Sequence, residues 1–111
     1  MNRTIPIYRG DVRSIKTTLK DKTTGAPYDL TGWPVTFSLV GQDGAVALEK
    51  LLDEDQDAAT GVATAVLLGS ETETLVAGMT YTAFMIYDSP SGPVTVAIGV
   101  CPIMHPARTL A

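Results

Sequence analysis

Hydrophobic and polar residues alternate along much of this 111-residue chain. Within Trp33–Val40, for example, Val35, Phe37 and Leu39 fall on one face of an extended strand, and the polar residues between them fall on the other. A period of two residues is typical of half-buried β-strands, and turn-forming residues interrupt the alternation about every 8–12 residues. The pattern therefore predicts a chain of short strands whose apolar faces, Phe37 included, form the core.

Seven segments fit this pattern and are predicted as strands. They are Thr4–Tyr8, Val12–Leu19, Trp33–Val40, Ala45–Leu51, Val62–Leu68, Met79–Tyr87 and Val94–Cys101. Seven or eight short strands in about 100 residues are typical of an antiparallel β-sandwich, with a small closed barrel as the alternative. We therefore predict an all-β fold, and the length suits a single domain covering residues 1–111.

Three stretches between the strands carry conformational signals. "SETETLVAG" predicts one helical turn in which Ser70 is the N-cap, Glu73 completes a capping box and Gly78 ends the helix. "AGMTY" leads into a strand at Tyr81 and predicts a tyrosine corner, in which the phenol bonds to upstream backbone. Asp29 in "PYDLTG" is predicted to cap a turn through its short side chain.

Charge is distributed unevenly along the chain. Residues 1–22 contain six basic and two acidic side chains, a net of +4, whereas residues 43–88 contain nine acidic side chains and only Lys50 as a base, a net of −8. The formal net charge of −4 argues against a nucleic-acid partner, since such domains are usually basic. No apolar run reaches the roughly 18 residues of a membrane span, and no stretch of signal-peptide length follows the first residues. We therefore expect neither a nucleic-acid nor a membrane partner.

Residues that could carry catalysis are few. His105, the single histidine, lies between a methionine and a proline, a setting more typical of a surface residue than of a general base. Cys101, the single cysteine, ends an apolar strand and is predicted to be a buried, unreactive thiol. The spacing of Asp53, Asp55 and Asp57 is that of a calcium loop, but its glycine and its final glutamate are missing. We therefore predict no enzyme activity, no cofactor, no metal site and no small-molecule substrate.

The tripeptide Arg9-Gly10-Asp11 is a known docking motif for animal cell-surface receptors. Here it falls between two predicted strands, where Gly10 can adopt a bend that is closed to other residues. We predict that it forms a corner of the fold rather than a receptor site.

Three segments carry a resemblance when they are taken in order. They are "IPIYRGDVRSIKTTLKDKTTGAPYDLTGWPVTFSL", "ETETLVAGMTYTAFMIY" and "SGPVTVAIGVCPI". The first has RGD opening a strand before a long turn-rich loop, the second has a glycine before a strand led by tyrosine, and the third is a turn followed by a strand. Together they resemble the N-terminal domain of phage baseplate upper proteins and similar small immunoglobulin-like structural proteins of tailed phages. The resemblance implies a single immunoglobulin-like antiparallel β-sandwich with a structural role in the virion.

The leading hypothesis is a virion protein, made in the bacterial host cytoplasm, that docks or adapts parts of a phage tail or baseplate through contacts with other virion proteins. A capsid decoration or head-fibre attachment protein is the first alternative, and a carbohydrate- or host-surface-binding module is the second. Identical subunits with unlike patches can join head to tail and close into rings, so we expect a homo-oligomer whose contacts use the two charged regions. The candidate interface residues are Arg9, Arg13, Lys16, Lys20, Lys22, Asp53, Glu54, Asp55, Asp57, Glu71 and Glu73.

Overall fold

The computed structural model describes residues 3–53 and 57–104, and the regular secondary structure of these residues is almost entirely β. The strands are β1 (Arg3–Thr4), β2 (Ile7–Tyr8), β3 (Arg13–Thr18), β4 (Val35–Val40), β5 (Val46–Leu51), β6 (Val62–Leu67), β7 (Thr80–Ser89) and β8 (Gly92–Met104). A single 3₁₀ turn (Ala58–Thr60) and one short helix, α1 (Gly69–Thr72), complete the described elements. The all-β prediction is confirmed.

The strands form two sheets of very different width. The larger sheet has six strands in the order β1-β8-β7-β4-β5, with β2 also pairing with β8, and the smaller sheet contains only β3 and β6. The pairs β3–β6, β4–β5, β4–β7 and β7–β8 are antiparallel. The predicted sandwich is therefore present, but it is not purely antiparallel, because β1 and β2 both pair with β8 in parallel.

The predicted first strand, Thr4–Tyr8, is divided into two. Ile5 donates its N–H to the Val100 carbonyl at 2.8 Å, and the chain then passes through Pro6, which has no N–H to donate to a ladder. Ile5 and Ile7 are nonetheless both buried, so the alternation predicted the inward faces correctly.

The core lies between the two sheets and is built by alternation. Along β7, every second residue from Tyr81 to Tyr87 is buried, and the residues between them are half-buried. Phe37 on β4 is fully buried opposite Met85, and the small sheet contributes Ile15 and Leu67 to the same cluster. Burial of a large apolar side chain stabilises a fold by about 1.5–3 kcal/mol, so these residues supply most of the attraction between the sheets.

The helix begins two residues earlier than predicted. Its N-cap is Leu68, and the Leu68 N–H donates to Glu71 Oε1 at 2.8 Å. Ser70 therefore lies inside the helix, and Glu73 is the C-cap rather than the third helical residue. The predicted capping box is therefore wrong: the Glu71 carboxylate accepts the N-cap N–H, but Leu68 has no side-chain oxygen to complete a box.

Gly78 does not end α1 but forms the turn that leads into β7. Its φ is +89°, in the left-handed region that favours glycine, and its N–H donates to the Ile103 carbonyl at 2.8 Å. Tyr81, which follows, is buried, and its hydroxyl accepts a long hydrogen bond of 3.4 Å from the Val76 N–H. The phenol thus contacts backbone five residues upstream, as in a tyrosine corner.

Candidate interaction surfaces

The Arg9-Gly10-Asp11 tripeptide forms the turn between β2 and β3. The Asp11 N–H donates to the Tyr8 carbonyl at 3.0 Å, which closes a four-residue turn. Gly10, the third residue of this turn, has a φ of +89°, and a positive φ at that position is the signature of a type II turn.

Thr72 holds this turn against α1. Its side chain is fully buried, and its hydroxyl accepts the Gly10 N–H at 3.0 Å and donates to the Asp11 carbonyl at 2.8 Å. The backbones are close here, since a Cβ added at Gly69 would lie 2.6 Å from the Gly10 carbonyl oxygen. Arg9 adds a further tie by donating Nε–H to the Leu75 carbonyl at 3.0 Å. The tripeptide is thus part of the internal hydrogen-bonding of the fold.

One side of the sandwich is closed by a lysine on β5. Lys50 Nζ donates to the Val66 carbonyl on β6 at 2.7 Å and to Glu71 Oε1 at 2.8 Å. The Leu68 N–H and then the Lys50 ammonium lower the pKa of Glu71. The Glu71 carboxylate, predicted as an interface residue, is therefore engaged within the chain. We call this arrangement the closed seam.

The other side of the sandwich is joined at one point. Arg3 on β1 donates Nη2–H to the Lys16 carbonyl on β3 at 3.0 Å. β1 covers only Gly99 and Val100 of β8, and a Cβ at Gly99 would collide with the Arg3 carbonyl. We call this side the open seam, because β8 continues well beyond the two residues that β1 covers.

A wide groove lies along this uncovered part of β8. One wall is the segment Val94–Ala97, and the other is the loop that follows β3, including Lys20 and Lys22. Tyr28 and Trp33 also line the groove, and their ring centroids are 6.4 Å apart with planes tilted by 40°.

The loop beside the groove is ordered by local carboxylates. Asp21 Oδ1 accepts the N–H groups of Thr23 and Thr24 at 2.7 and 3.2 Å, and these two bonds lower the pKa of Asp21. Asp29 caps the next turn by accepting the Thr31 N–H at 3.0 Å, and hydrogen bonds from Thr31 lower the pKa of Asp29. These hydrogen bonds fix the turns that follow Lys20 in sequence.

The predicted interface residues divide between the two edges of the large sheet. β1 and β5 are at opposite ends of the strand order, and Lys16 on β3 lies next to β1 because Arg3 bonds to its carbonyl. Lys16, Lys20 and Lys22 are exposed on the open side, and Asp53 is exposed directly after β5.

The remaining predicted interface residues differ in exposure, and two of them lie outside the described residues. Asp57, ahead of the 3₁₀ turn, and Glu73, at the end of α1, are exposed. Arg13 is half-buried, and its Nε is a buried atom without a hydrogen-bond partner among the described residues. Glu54 and Asp55 lie outside the described residues, as does His105.

Cys101 is held inside the fold. Cys101 is fully buried, and burial raises the pKa of its thiol to about 11, so the thiolate is scarce near neutral pH. Within residues 3–53 and 57–104, no cluster of three or more His, Cys, Asp or Glu side chains could hold a metal ion. Over the same residues, no helix is long and apolar enough to cross a membrane. The absence of a calcium site stays a prediction, since part of the acidic loop is not described.

Sequence reasoning missed the residues that connect distant parts of the chain. Thr72 and Gly69 carried no signal of their contact with the tripeptide. Lys50 did carry one, because it is the only base among the nine acids of residues 43–88, and an isolated base in an acidic region is a candidate for an internal ion pair.

Comparison with known proteins identifies a likeness in fold but not in sequence. No family model and no curated protein matches the chain. Among solved structures, it is similar to the N-terminal domain of phage TP901-1 ORF48, with a TM-score of 0.58 and 15% identity over 92% of this chain and 85% of that chain. Tim-2 matches with a TM-score of 0.48 and 9% identity over 99% of this chain and 98% of that chain. The first likeness confirms, at the level of the fold, the resemblance to N-terminal domains of tailed-phage structural proteins.

Proposed function

We propose that this chain is a structural protein of a tailed-phage virion that docks or joins parts of the tail or baseplate without catalysis. The observation that carries the proposal is the fold likeness, over 92% of the chain, to the N-terminal domain of a phage protein. The ordered sequence motifs point to the same class of protein. The internal use of the Arg9-Gly10-Asp11 tripeptide by Thr72 and Leu75 is also in keeping with a structural role.

We further propose that copies of the chain associate head to tail. The support is the strand order, which puts β1 and β5 at opposite edges of the large sheet, with the exposed Lys16 near one edge and the exposed Asp53 after the other. Unlike patches on identical subunits form heterologous contacts, which close into a ring when the rotation permits. Charges of this kind steer association and fix its orientation.

Charge reversal on each edge tests this association. Lys16→Glu and Asp53→Lys are made singly and together, and self-association is followed by sedimentation velocity at low and high salt. Each single reversal is expected to weaken association about five- to ten-fold at low salt, where charges are least screened. The double variant has both signs exchanged, so it should recover part of the loss. Lys16→Arg keeps the charge and is the matched control.

Two results would contradict these proposals separately. A protein that stays monomeric at every concentration, or an oligomer indifferent to both reversals, rules out the head-to-tail contact. The virion role is tested by mass spectrometry of purified particles of the phage that encodes the chain, and absence from the particle rules it out. Cryo-electron microscopy of the same particles separates a tail position from a capsid position.

A further inference from the structure

The open seam leaves one edge of β8 without a strand. β7 pairs with β8 from Gly92 to Pro102, whereas on the other edge β1 and β2 pair only at residues 99–100 and 103–104. Within the described residues, no strand covers the segment from Pro93 to Ala97 on that side. Pro93 has no N–H to donate, as edge positions tolerate. An uncovered edge presents N–H and C=O groups that can pair with another chain.

This uncovered edge is also a wall of the groove. Val94 and Tyr28 are about 40% exposed, at 43% and 40%, and both line the groove with Trp33 and Val96, which pack against the core. The groove therefore offers apolar surface at the positions where an added strand would place alternate side chains.

The chain already adds an extended segment to this same edge. β1 pairs in parallel at Gly99 and Val100, and Gly99 permits the close approach of the Arg3 backbone. A strand placed along Pro93–Ala97 would continue the line of β1 toward the β7–β8 hairpin. The edge is thus oriented for strand pairing over a longer stretch than β1 occupies.

The charge of the residues that line the groove indicates what kind of segment it binds. Lys20 and Lys22 line it together with one carboxylate, Asp21, so the lining carries a net charge of +1. A basic rim attracts acidic segments and disfavours basic ones. We propose that this groove binds an extended, acidic segment of another protein, which adds to β8 as a further strand. This mode of recognition takes its affinity from main-chain hydrogen bonds and its specificity from alternate side-chain positions.

The contact differs from the head-to-tail association and stands whether or not the protein belongs to a virion. Trp33 is the only tryptophan of the chain and lines the groove, so its fluorescence reports occupancy directly. The probe is a capped peptide of alternating valine and glutamate, titrated into the intact protein. We expect a saturable change in Trp33 emission and slower hydrogen exchange of the amides in Val94–Ala97.

Two control peptides separate strand addition from charge attraction. The first has lysine in place of glutamate and is expected not to bind. The second keeps glutamate but carries N-methyl groups on alternate amides along the edge that would pair, and it should also fail because its backbone cannot donate.

Matched variants locate the site. Lys20→Glu combined with Lys22→Glu is expected to weaken peptide binding about ten-fold, since two attractive charges become repulsive. Lys16→Glu makes the same kind of charge change on β3 outside the groove and should leave peptide binding unchanged, although it weakens head-to-tail association. Lys16→Glu therefore separates the two contacts.

Four results would overturn the proposal. They are absence of binding by the acidic peptide, equal binding by the N-methylated peptide, a Trp33 response to an oligosaccharide in place of the peptide, and protection of Val94–Ala97 only when the protein associates with itself. The last result would assign the edge to a second copy of the chain.

Discussion

The two seams of this sandwich connect the large sheet to the small sheet through different contacts. At the closed seam, Lys50 extends from β5 to the Val66 carbonyl on β6 and is held there by Glu71. At the open seam, Arg3 makes a single bond to the Lys16 carbonyl, and beyond that point β8 borders a groove. Both seams use a cationic side chain to satisfy a carbonyl at the edge of the small sheet, but the closed seam adds an ion pair with Glu71 and the open seam borders the wide groove.

The difference follows from the unequal width of the sheets. A two-stranded sheet cannot cover a six-stranded one, so part of the large sheet must be covered by loops, by side chains or by another molecule. Unpaired edges promote association with other chains unless they are protected. The proposed role in assembly would use one such edge, and we place that use at β8.

The core, and not either seam, is expected to hold the sheets together. Phe37 is fully buried on β4, between β5 and β7, and Phe37→Ala should lower the free energy of unfolding by about 3–5 kcal/mol. The exposed Val46 on β5 is the control, since Val46→Ala should change it by about 0.5 kcal/mol or less. Both are measured by urea unfolding, and a Phe37→Ala protein with the parent's midpoint would show that the seams dominate.

Thr72 lies on α1 and bonds to the turn before β3. The same helix supplies Glu71 to the closed seam. Thr72→Val keeps the shape of the side chain but leaves the Gly10 N–H and the Asp11 carbonyl without the hydroxyl. We expect a loss of about 1–3 kcal/mol in the free energy of unfolding. Thr72→Ser retains the hydroxyl and should cost less in the same urea experiment. A larger loss in Thr72→Ser than in Thr72→Val would mean that the methyl group, and not the hydrogen bonds, matters at this position.

Local pattern was enough to predict the long strands. The alternation around Phe37 and along β7 identified the inward residues correctly, because burial of one face imposes the period of two. The same pattern does not show which strand pairs with which. The two-residue strands β1 and β2 exist because β8 is beside them, and their parallel direction is not visible in five residues of sequence. Pro6 did carry a signal for the break between them, and the prediction of one strand over Thr4–Tyr8 missed it.

The residue at which α1 begins depends on Lys50, which is distant in sequence. Ser70 with Glu73 fits a capping box as a sequence, yet Glu71 is the residue that caps, from Leu68. Glu71 can also reach the Lys50 ammonium, and this long-range pair favours the earlier start. The groove was missed for the same reason, since Trp33 and Val94 come together only when the fold brings their strands near each other.

The closed seam should show a small, pH-dependent contribution that the open seam lacks. Lys50→Met keeps much of the apolar stem of the side chain but removes the ammonium that helps to lower the pKa of Glu71. Because both partners are about a quarter exposed, at 24% and 25%, we expect a loss of only about 0.5–1 kcal/mol at neutral pH.

A carboxyl whose pKa is lowered by folding stabilises the protein above its unfolded pKa, about 4.3 for glutamate, and this contribution disappears as the pH falls through the lower folded value. The parent should therefore lose its advantage over Lys50→Met as the pH is lowered below about 4, in urea unfolding measured across that range. Arg3→Met is the comparison at the open seam, because Arg3 bonds there to the Lys16 carbonyl and forms no ion pair within the described residues. If the cost of Arg3→Met depended on pH in the same way as that of Lys50→Met, or if the cost of Lys50→Met were the same at pH 7 and in acid, the two seams would not differ in the way their contacts indicate.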